Sequence, residues 1–370
     1  GLILFVVCFT GTVYTFHSEI DEMINSEKYR VSIPSENVKP LPVEELSKKV
    51  TEQVGKASSV TISPDPEDAY QFSVRKEGER RGTTYLVNPY TGQVLGDTKS
   101  ETSEFFMIMF RLHRWLMLDT SIGRPIVGWS TVIFVFIILT GLIIWVPQKV
   151  KSWKQGLRIK WSGNWKRINH DLHNSLGLYT SIFLLIMALT GLQWSFDWYR
   201  TGLRNVLGVE APQRGGGRGS NAGDNKGQDE DTLMVDRSPL SVESLLGVAD
   251  TSLPYEGIYR LDLPNSEKLE VGLRKYHTGF FASSASDQLT LDVFSGEVIA
   301  KEVFSEKPMN IKIAQSIKAL HVGDVFGTFS KIIYFISCLI ATSLPVTGTI
   351  IWINKLKKKA KRQKKKILVS

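Results

Sequence analysis

Four apolar runs punctuate the chain, at 1–16, 126–146, 176–196 and 329–353, with longer segments of mixed polarity between them. A hydrocarbon core of ~30 Å takes about 20 helical residues, so the last three runs are long enough to span a membrane. The run at 1–16 is shorter. It starts on Gly1 without a basic leader, and it is read as an N-terminally shortened membrane helix rather than a cleaved signal peptide.

The pattern repeats. Each apolar run carries Thr-Gly near one end: "CFTGTVYTF", "ILTGLIIWVP", "ALTGLQWSF" and "PVTGTIIWIN". The first resembles the third, and the second the fourth. Between the runs, "YLVNPYTGQVLGD" at 85–97 matches "LTLDVFSGEVIAK" at 289–301 and aligns Asn88 with Asp292 and Gly92 with Gly296. Thr10 to Gly92 is 82 residues and Thr190 to Gly296 is 106. The excess matches the Gly-rich polar stretch 209–231, which reads as a flexible insertion.

Each intervening segment opens on a helical pattern, "PVEELSKKVTEQV" or "SPLSVESLLGVADT". Alternating strands follow, such as "AYQFSVRK" and "KLEVGLRK", and the last pair turns at "NPYTGQ" or "DVFSGE". The expected fold class is a membrane α-helical protein of four transmembrane helices in two span–module–span repeats, with two exported α+β modules. The boundaries run as helix 1 over 1–20 and module 40–100, then an interfacial helix plus second span over 104–147. A basic loop over 148–170, a third span over 171–198 and a linker over 208–232 come next. Module 238–305, an interfacial segment plus fourth span over 310–354, and a basic tail over 355–370 complete the chain.

Charge orients this arrangement. Lys149–Arg167 carries seven basic residues and no acid, and Lys355–Lys366 carries nine and no acid. Both abut apolar runs, so positive-inside bias explains them better than nucleic-acid binding and places them in the cytoplasm. The modules then face outward. Neither module contains cysteine, since Cys8 and Cys338 both lie in apolar runs, which excludes a disulfide framework or an iron–sulfur site there.

Candidate chemistry rests on six histidines: His17, His113, His170, His173, His277 and His321. Imidazole beside a membrane span normally pairs, relays protons or binds a metal. His113 lies 27 residues before Thr140 and His321 lies 26 before Thr347, so the two are equivalent. A continuous helix over that distance would overshoot the bilayer, so a break is expected, at "IGRP" (122–125) in one half and at Gly323 and Gly327 in the other. Both histidines then lie at the outer interface and face each other. His173 lies 17 residues before Thr190, on the cytoplasmic side, and its symmetry partner would fall before Gly1. Paired imidazoles within a helix bundle suit bis-histidine haem ligation. The Thr-Gly pairs suit close packing against a helix or against a flat macrocycle, and the sequence does not choose. His170, at i, i+3 from His173, leaves a divalent metal or a headgroup contact open. His17 is a weaker candidate, because Asp197 occupies the equivalent position. His277 reads as surface.

The motifs "TGTVYTFHSEID", "LHRWL", "DLHNSLGLY", "ALTG" and the paired "PYTG"/"VFSG" modules resemble the PepSY-associated transmembrane family over essentially the whole chain. The family includes iron-regulated bacterial inner-membrane proteins, some of them ferric-siderophore reductases. The resemblance implies PepSY folds at roughly 40–100 and 238–305, and b-type haem, two in number, with ligand roles for His113, His173 and His321. The function it implies is a bacterial inner-membrane oxidoreductase. It would pass electrons from a cytoplasmic donor, a flavin or a reductase, to a ferric siderophore or other ferric chelate in the periplasm. A non-enzymatic scaffold that restrains an exported partner and an iron-chelate transporter are the competing readings. No glycine fingerprint for a dinucleotide follows a strand.

Overall fold

A computed structural model describes residues 1–370 apart from 36–37, 76–81, 147–155, 210–237, 264–268 and 368–370. Most of the expected linker 208–232, the start of the basic loop 148–170 and the end of the tail lie outside the described residues.

The first apolar run forms α1 (Leu2–Tyr14), which bends by 46° into α2 (His17–Ile24) and is followed by the short α3 (Ser26–Tyr29). Then come α4 (Val43–Gln53), β1 (Ala57–Ile62), β2 (Tyr70–Val74), β3 (Thr83–Val87) and β4 (Val94–Asp97). Next are α5 (Glu101–Trp115), α6 (Thr120–Trp145), α7 (Trp165–Ser195) and α8 (Asp197–Leu207). The second half continues with α9 (Val242–Ser252), β5 (Gly257–Asp262), β6 (Glu270–His277), β7 (Ser286–Asp292) and β8 (Val298–Glu302). It closes with α10 (Met309–Val322) and α11 (Gly327–Ile367). Among the described residues, α6, α7 and α11 are long and apolar enough to cross a membrane, and α1 with α2 qualify as one bent pair.

These helices are inverted relative to a soluble bundle. Ile133, Phe136, Ile144, Ile182 and Leu339 point outward, while Thr10, Thr180, Ser181 and Ser337 are buried. That is the arrangement a hydrocarbon solvent selects: apolar side chains meet lipid, and small hydroxyl residues let helices approach. Helix α7 packs on α6 and α11, and α1 packs on α11 and α5. The interior hydroxyls bond back to their own helix, as Thr180 does to Leu176 O at 2.8 Å.

The two soluble segments do not stand apart. They form one eight-stranded antiparallel sheet, ordered β4-β3-β2-β1-β5-β6-β7-β8. The join is β1 against β5, with Val60 opposite Leu261. Helices α4 and α9 share one face, and Leu46, Val50, Leu245 and Ala249 bury into a single core with Val60, Phe72, Leu261, Leu273 and Leu289. Each of these helices caps the other. Val43 N donates to Glu243 at 2.8 Å, and Val242 N donates to Glu44 at 2.5 Å, so each carboxylate meets an orphan N–H at the other's positive end. The matched turns also agree. Asn88 accepts from Tyr90 N at 2.9 Å and Asp292 from Phe294 N at 2.9 Å, each followed by a glycine at positive φ.

The break before α6 lies upstream of its expected place. It occupies residues 116–119, where Leu116 and Met117 adopt left-handed φ of 57° and 59°. "IGRP" sits instead in the first turns of α6, where Gly123 packs so tightly on the Trp115 carbonyl that a Cβ would collide. Asp119 caps α6 through Ser121 N at 2.8 Å, and its bonds from Ser121 hold the carboxyl below the usual carboxylate range. In the second half Gly323, at φ 82°, ends α10 as expected.

Candidate functional site

Helix α5 starts on a capping box in which Ser100 and Ser103 exchange hydrogen bonds. Ser100 also donates to Asp21 at 2.7 Å, and Asp21 accepts from Tyr29 at 2.9 Å. Asp21 is only 8% exposed, so this carboxylate ties α2 to the start of α5. Near the other end of α5, His113 turns into the bundle.

There the His113 ring lies on Gly11, with Cε1 3.1 Å from where a Cβ would stand. Its Nδ1 is 2.9 Å from the carbonyl of Val7, three residues before Thr10. His321 repeats this geometry on α7. Its Cε1 is 3.0 Å from a Gly191 Cβ, and its Nδ1 is 2.9 Å from the carbonyl of Met187, three residues before Thr190. A carbonyl only accepts, so Nδ1 carries the proton in both rings and Nε2 keeps its lone pair. The Thr-Gly pair is therefore a seat for an imidazole. Glycine removes the Cβ that would strike the ring. The threonine hydroxyl bonds to the carbonyls of the preceding turn, as Thr190 does to Ile186 at 2.6 Å.

The seats bring His113 and His321 together, with ring centroids 6.1 Å apart and planes at 62°. Imidazole nitrogen binds a first-row metal at about 2.0–2.1 Å, so two rings on one metal have centroids about 6 Å apart. The centroid separation of His113 and His321 matches that value. Trp194 stands 5.0 Å from the His321 ring, and its carbonyl accepts from Arg124 Nε at 3.1 Å.

His173 occupies a third seat, on α11 near its basic end. Cε1 is 3.1 Å from a Gly348 Cβ, and Nδ1 is 2.9 Å from the Thr347 hydroxyl. The buried Asn169 donates to the Thr347 carbonyl at 3.1 Å and fixes the same turn. His173 lines a cavity of about 260 Å³ with Phe134, Gly141, Leu142 and Trp145. Gly141 belongs to the remaining Thr-Gly pair, the second along the chain, and a Cβ there would meet nothing within 4 Å. A second cavity, of about 580 Å³ and lined by Phe16, Phe105, Phe106 and Phe335, holds no titratable group.

The other candidates stand apart. His170 is exposed and lies 3.6 Å from Asp171. His17 stacks on Tyr14 at 4.0 Å. His277 stacks on Tyr255 at 3.9 Å, in the sheet. Among the described residues no group of three or more His, Cys, Asp or Glu could hold a metal ion, so the histidine arrangement is a pair and a single. Sequence marks Trp194 only as an interfacial aromatic near a span end and does not single out Asp21, Asn169 or Arg124. Of these three, Asn169 alone carried a signal, as the polar residue beside His170 at a helix entrance.

Apolar helices beside an antiparallel sheet, with imidazoles seated where the helices meet, define a multi-pass membrane protein with a β-containing domain. The model of the PepSY-associated TM region matches residues 1–355, and the chain belongs to that family. No curated protein matches the chain.

Proposed function

We propose that the protein is a haem-dependent oxidoreductase of a bacterial inner membrane that reduces ferric chelates outside it. The observation that carries this reading is the His113–His321 pair at 6.1 Å, each ring tied through Nδ1 to a carbonyl. Those two residues would hold one b-type haem, and His173 would contribute to a second. Haem supplies one-electron chemistry. Met187, whose carbonyl holds His321, lies 14 residues along α7 from His173, about 21 Å of helix, a separation that supports two sites at different depths of a bilayer. In this reading α1 with α2 forms a fourth span, the sheet is periplasmic, and the basic segments face a cytoplasmic flavin or reductase. The chain's own residues orient imidazoles, exclude water with aromatic and aliphatic walls, and keep Nε2 unprotonated. Reduction lowers the charge of iron held by hard oxygen ligands and weakens the chelate.

The visible spectrum of the purified full-length protein tests the reading. Sharp reduced haem bands are the expected outcome, and a colourless protein refutes it in favour of a scaffold role for the sheet.

A further inference from the structure

The sheet has two faces, and its halves use the second face differently. Opposite the helices, the first half is closed by an apolar cluster in which Leu86 is fully buried under Val31, Ala69 and Tyr90. In the repeat, Leu86 aligns with Thr290 and Ala69 with Glu270, and among the described residues no such cluster closes the second half. The contrast is sharpest on the central strands. Ser59 on β1 pairs with Ser73 on β2. The positions related to them by the β1–β5 join are Arg260 on β5 and Arg274 on β6, which pair directly across the strands. Both arginines are exposed, and neither has an ion-pair or hydrogen-bond partner for its side chain among the described residues. Like charges placed directly opposite destabilise a sheet. The fold keeps this pair where its sister half has two serines.

Beside the arginines, Gly272 leaves the floor bare, and a Cβ there would meet only Asp262 Oδ2, at 3.5 Å. Gly272 lies in an unbulged stretch of β6, and a strand glycine without a bulge or bend suits close approach of a ligand to the backbone. Thr61 and Gln288 flank the pair on the same row. The strand that carries Arg274 ends at His277, and the loop after it docks on the turn that follows His321. Phe329 N donates to Phe280 O at 3.2 Å, and Ser284 N donates to the carbonyl of Asp324, three residues after His321, at 3.3 Å.

We propose that Arg260 and Arg274, over the floor at Gly272, bind an anionic ferric chelate through its carboxylate or catecholate oxygens. Cross-strand Cβ atoms about 5 Å apart aim two guanidinium forks at one ligand, and planar forks match such oxygens bidentately. Asp262, also on this face, sets a negative charge beside the pair and selects against a bare polyanion, whose charge the metal has not neutralised. The proposal rests on the ferric-chelate reading above and names the charge of the substrate.

Gallium(III) citrate tests it without redox chemistry, because Ga(III) has the charge of Fe(III) and is not reduced under the assay. Binding is measured by calorimetry on the full-length protein in neutral detergent. Wild type binds, and Arg260→Gln/Arg274→Gln weakens binding by about tenfold or more. Lys39→Gln/Lys48→Gln, which removes equal charge from exposed positions elsewhere, leaves binding unchanged. Gly272→Thr, which keeps both arginines and fills the floor, also weakens it. The proposal is overturned if wild type does not bind, if both double variants weaken alike, or if metal-free citrate binds as tightly as the gallium complex. Gallium citrate binding to a protein without haem bands would refute the reductase reading and leave this site standing.

Discussion

Gly191 makes room for His321: the ring's Cε1 lies 3.0 Å from the point a Cβ would occupy. The same relation joins Gly11 to His113 and Gly348 to His173. Adding a methyl at any of the three forces the ring to move by a few tenths of an ångström and strains its Nδ1 hydrogen bond. Gly11→Ala and Gly191→Ala should therefore alter the same haem component of the spectrum, while far-ultraviolet circular dichroism stays as in wild type. Gly141→Ala, with open space around it, should leave that component alone. An unchanged spectrum in Gly191→Ala would show that the seat does not position the ligand.

Pairing gives a second expectation. His113→Ala and His321→Ala should each remove one and the same spectral component, because a bis-imidazole site loses its ligand set when either ring goes. His277→Ala and His170→Ala should retain it, since neither ring reaches the pair. Bleaching of different components by the two variants would contradict the geometry.

Lys275 presents a third case. It is fully buried in the sheet, where the repeat places Val74 in the first half. Its Nζ donates to Asp250 at 2.8 Å and to Leu253 O at 2.8 Å, between the rings of Tyr255 and Tyr259. Partial burial alone would raise the Asp250 pKa, but the bonds from Lys275 and Tyr259 outweigh it and hold the carboxyl below its ordinary value. A depressed carboxylate contributes stability above its unfolded pKa of about 3.9 and loses it as pH falls through the lower folded value. Asp250→Asn should cost about 1–3 kcal/mol near pH 7 by leaving the buried ammonium without its anion. Its deficit relative to wild type should shrink only below about pH 4. Lys275→Val with Asp250→Thr, which copies the first half, should recover most of the loss. Thermal unfolding against pH measures all three. A deficit that disappears between pH 7 and 5 would refute the assignment.

Orientation is tested by labelling. Cysteine placed at Lys48 on α4 and at Lys359 on α11 should react from opposite sides of the membrane, because basic segments beside apolar helices are retained inside. Both sites are exposed. Equal reaction with an impermeant reagent in intact spheroplasts would overturn the topology.

Much of this was visible in sequence, and the parts that were not share a cause. The Thr-Gly repeats and the spacing of His113 and His321 are local patterns, and periodicity reports them. That a glycine on one helix receives a histidine from another is a tertiary fact with no local signature. The joined sheet is of the same kind. Nothing in β1 or β5 alone says that Val60 will face Leu261 rather than end a separate module. The break before α6 differs from the sequence expectation because Pro125 is a strong local signal, whereas Leu116 and Met117 adopt left-handed backbone without any residue that advertises it. In sequence Asp21 is one acid among several in "FHSEIDE". Only the fold shows that it is buried against Ser100 and Tyr29.

The last prediction concerns the order of the two sites. His173 and the His113–His321 pair take seats at opposite ends of the long helices. On α7, His173 itself and the Met187 carbonyl that holds His321 are about 21 Å apart. A single redox site at either end would leave most of a ~30 Å hydrocarbon core uncrossed, so reduction across the membrane needs both. His173→Ala should stop a donor enclosed in liposomes from reducing ferric chelate outside. It should not stop dithionite, added outside, from reducing the component assigned to His113 and His321, because that pair keeps its seats on Gly11 and Gly191. The two measurements separate a broken path from a misfolded protein. A His173→Ala variant that turns over at the wild-type rate with the donor inside would remove the third histidine from the path and end the case for a transmembrane electron route.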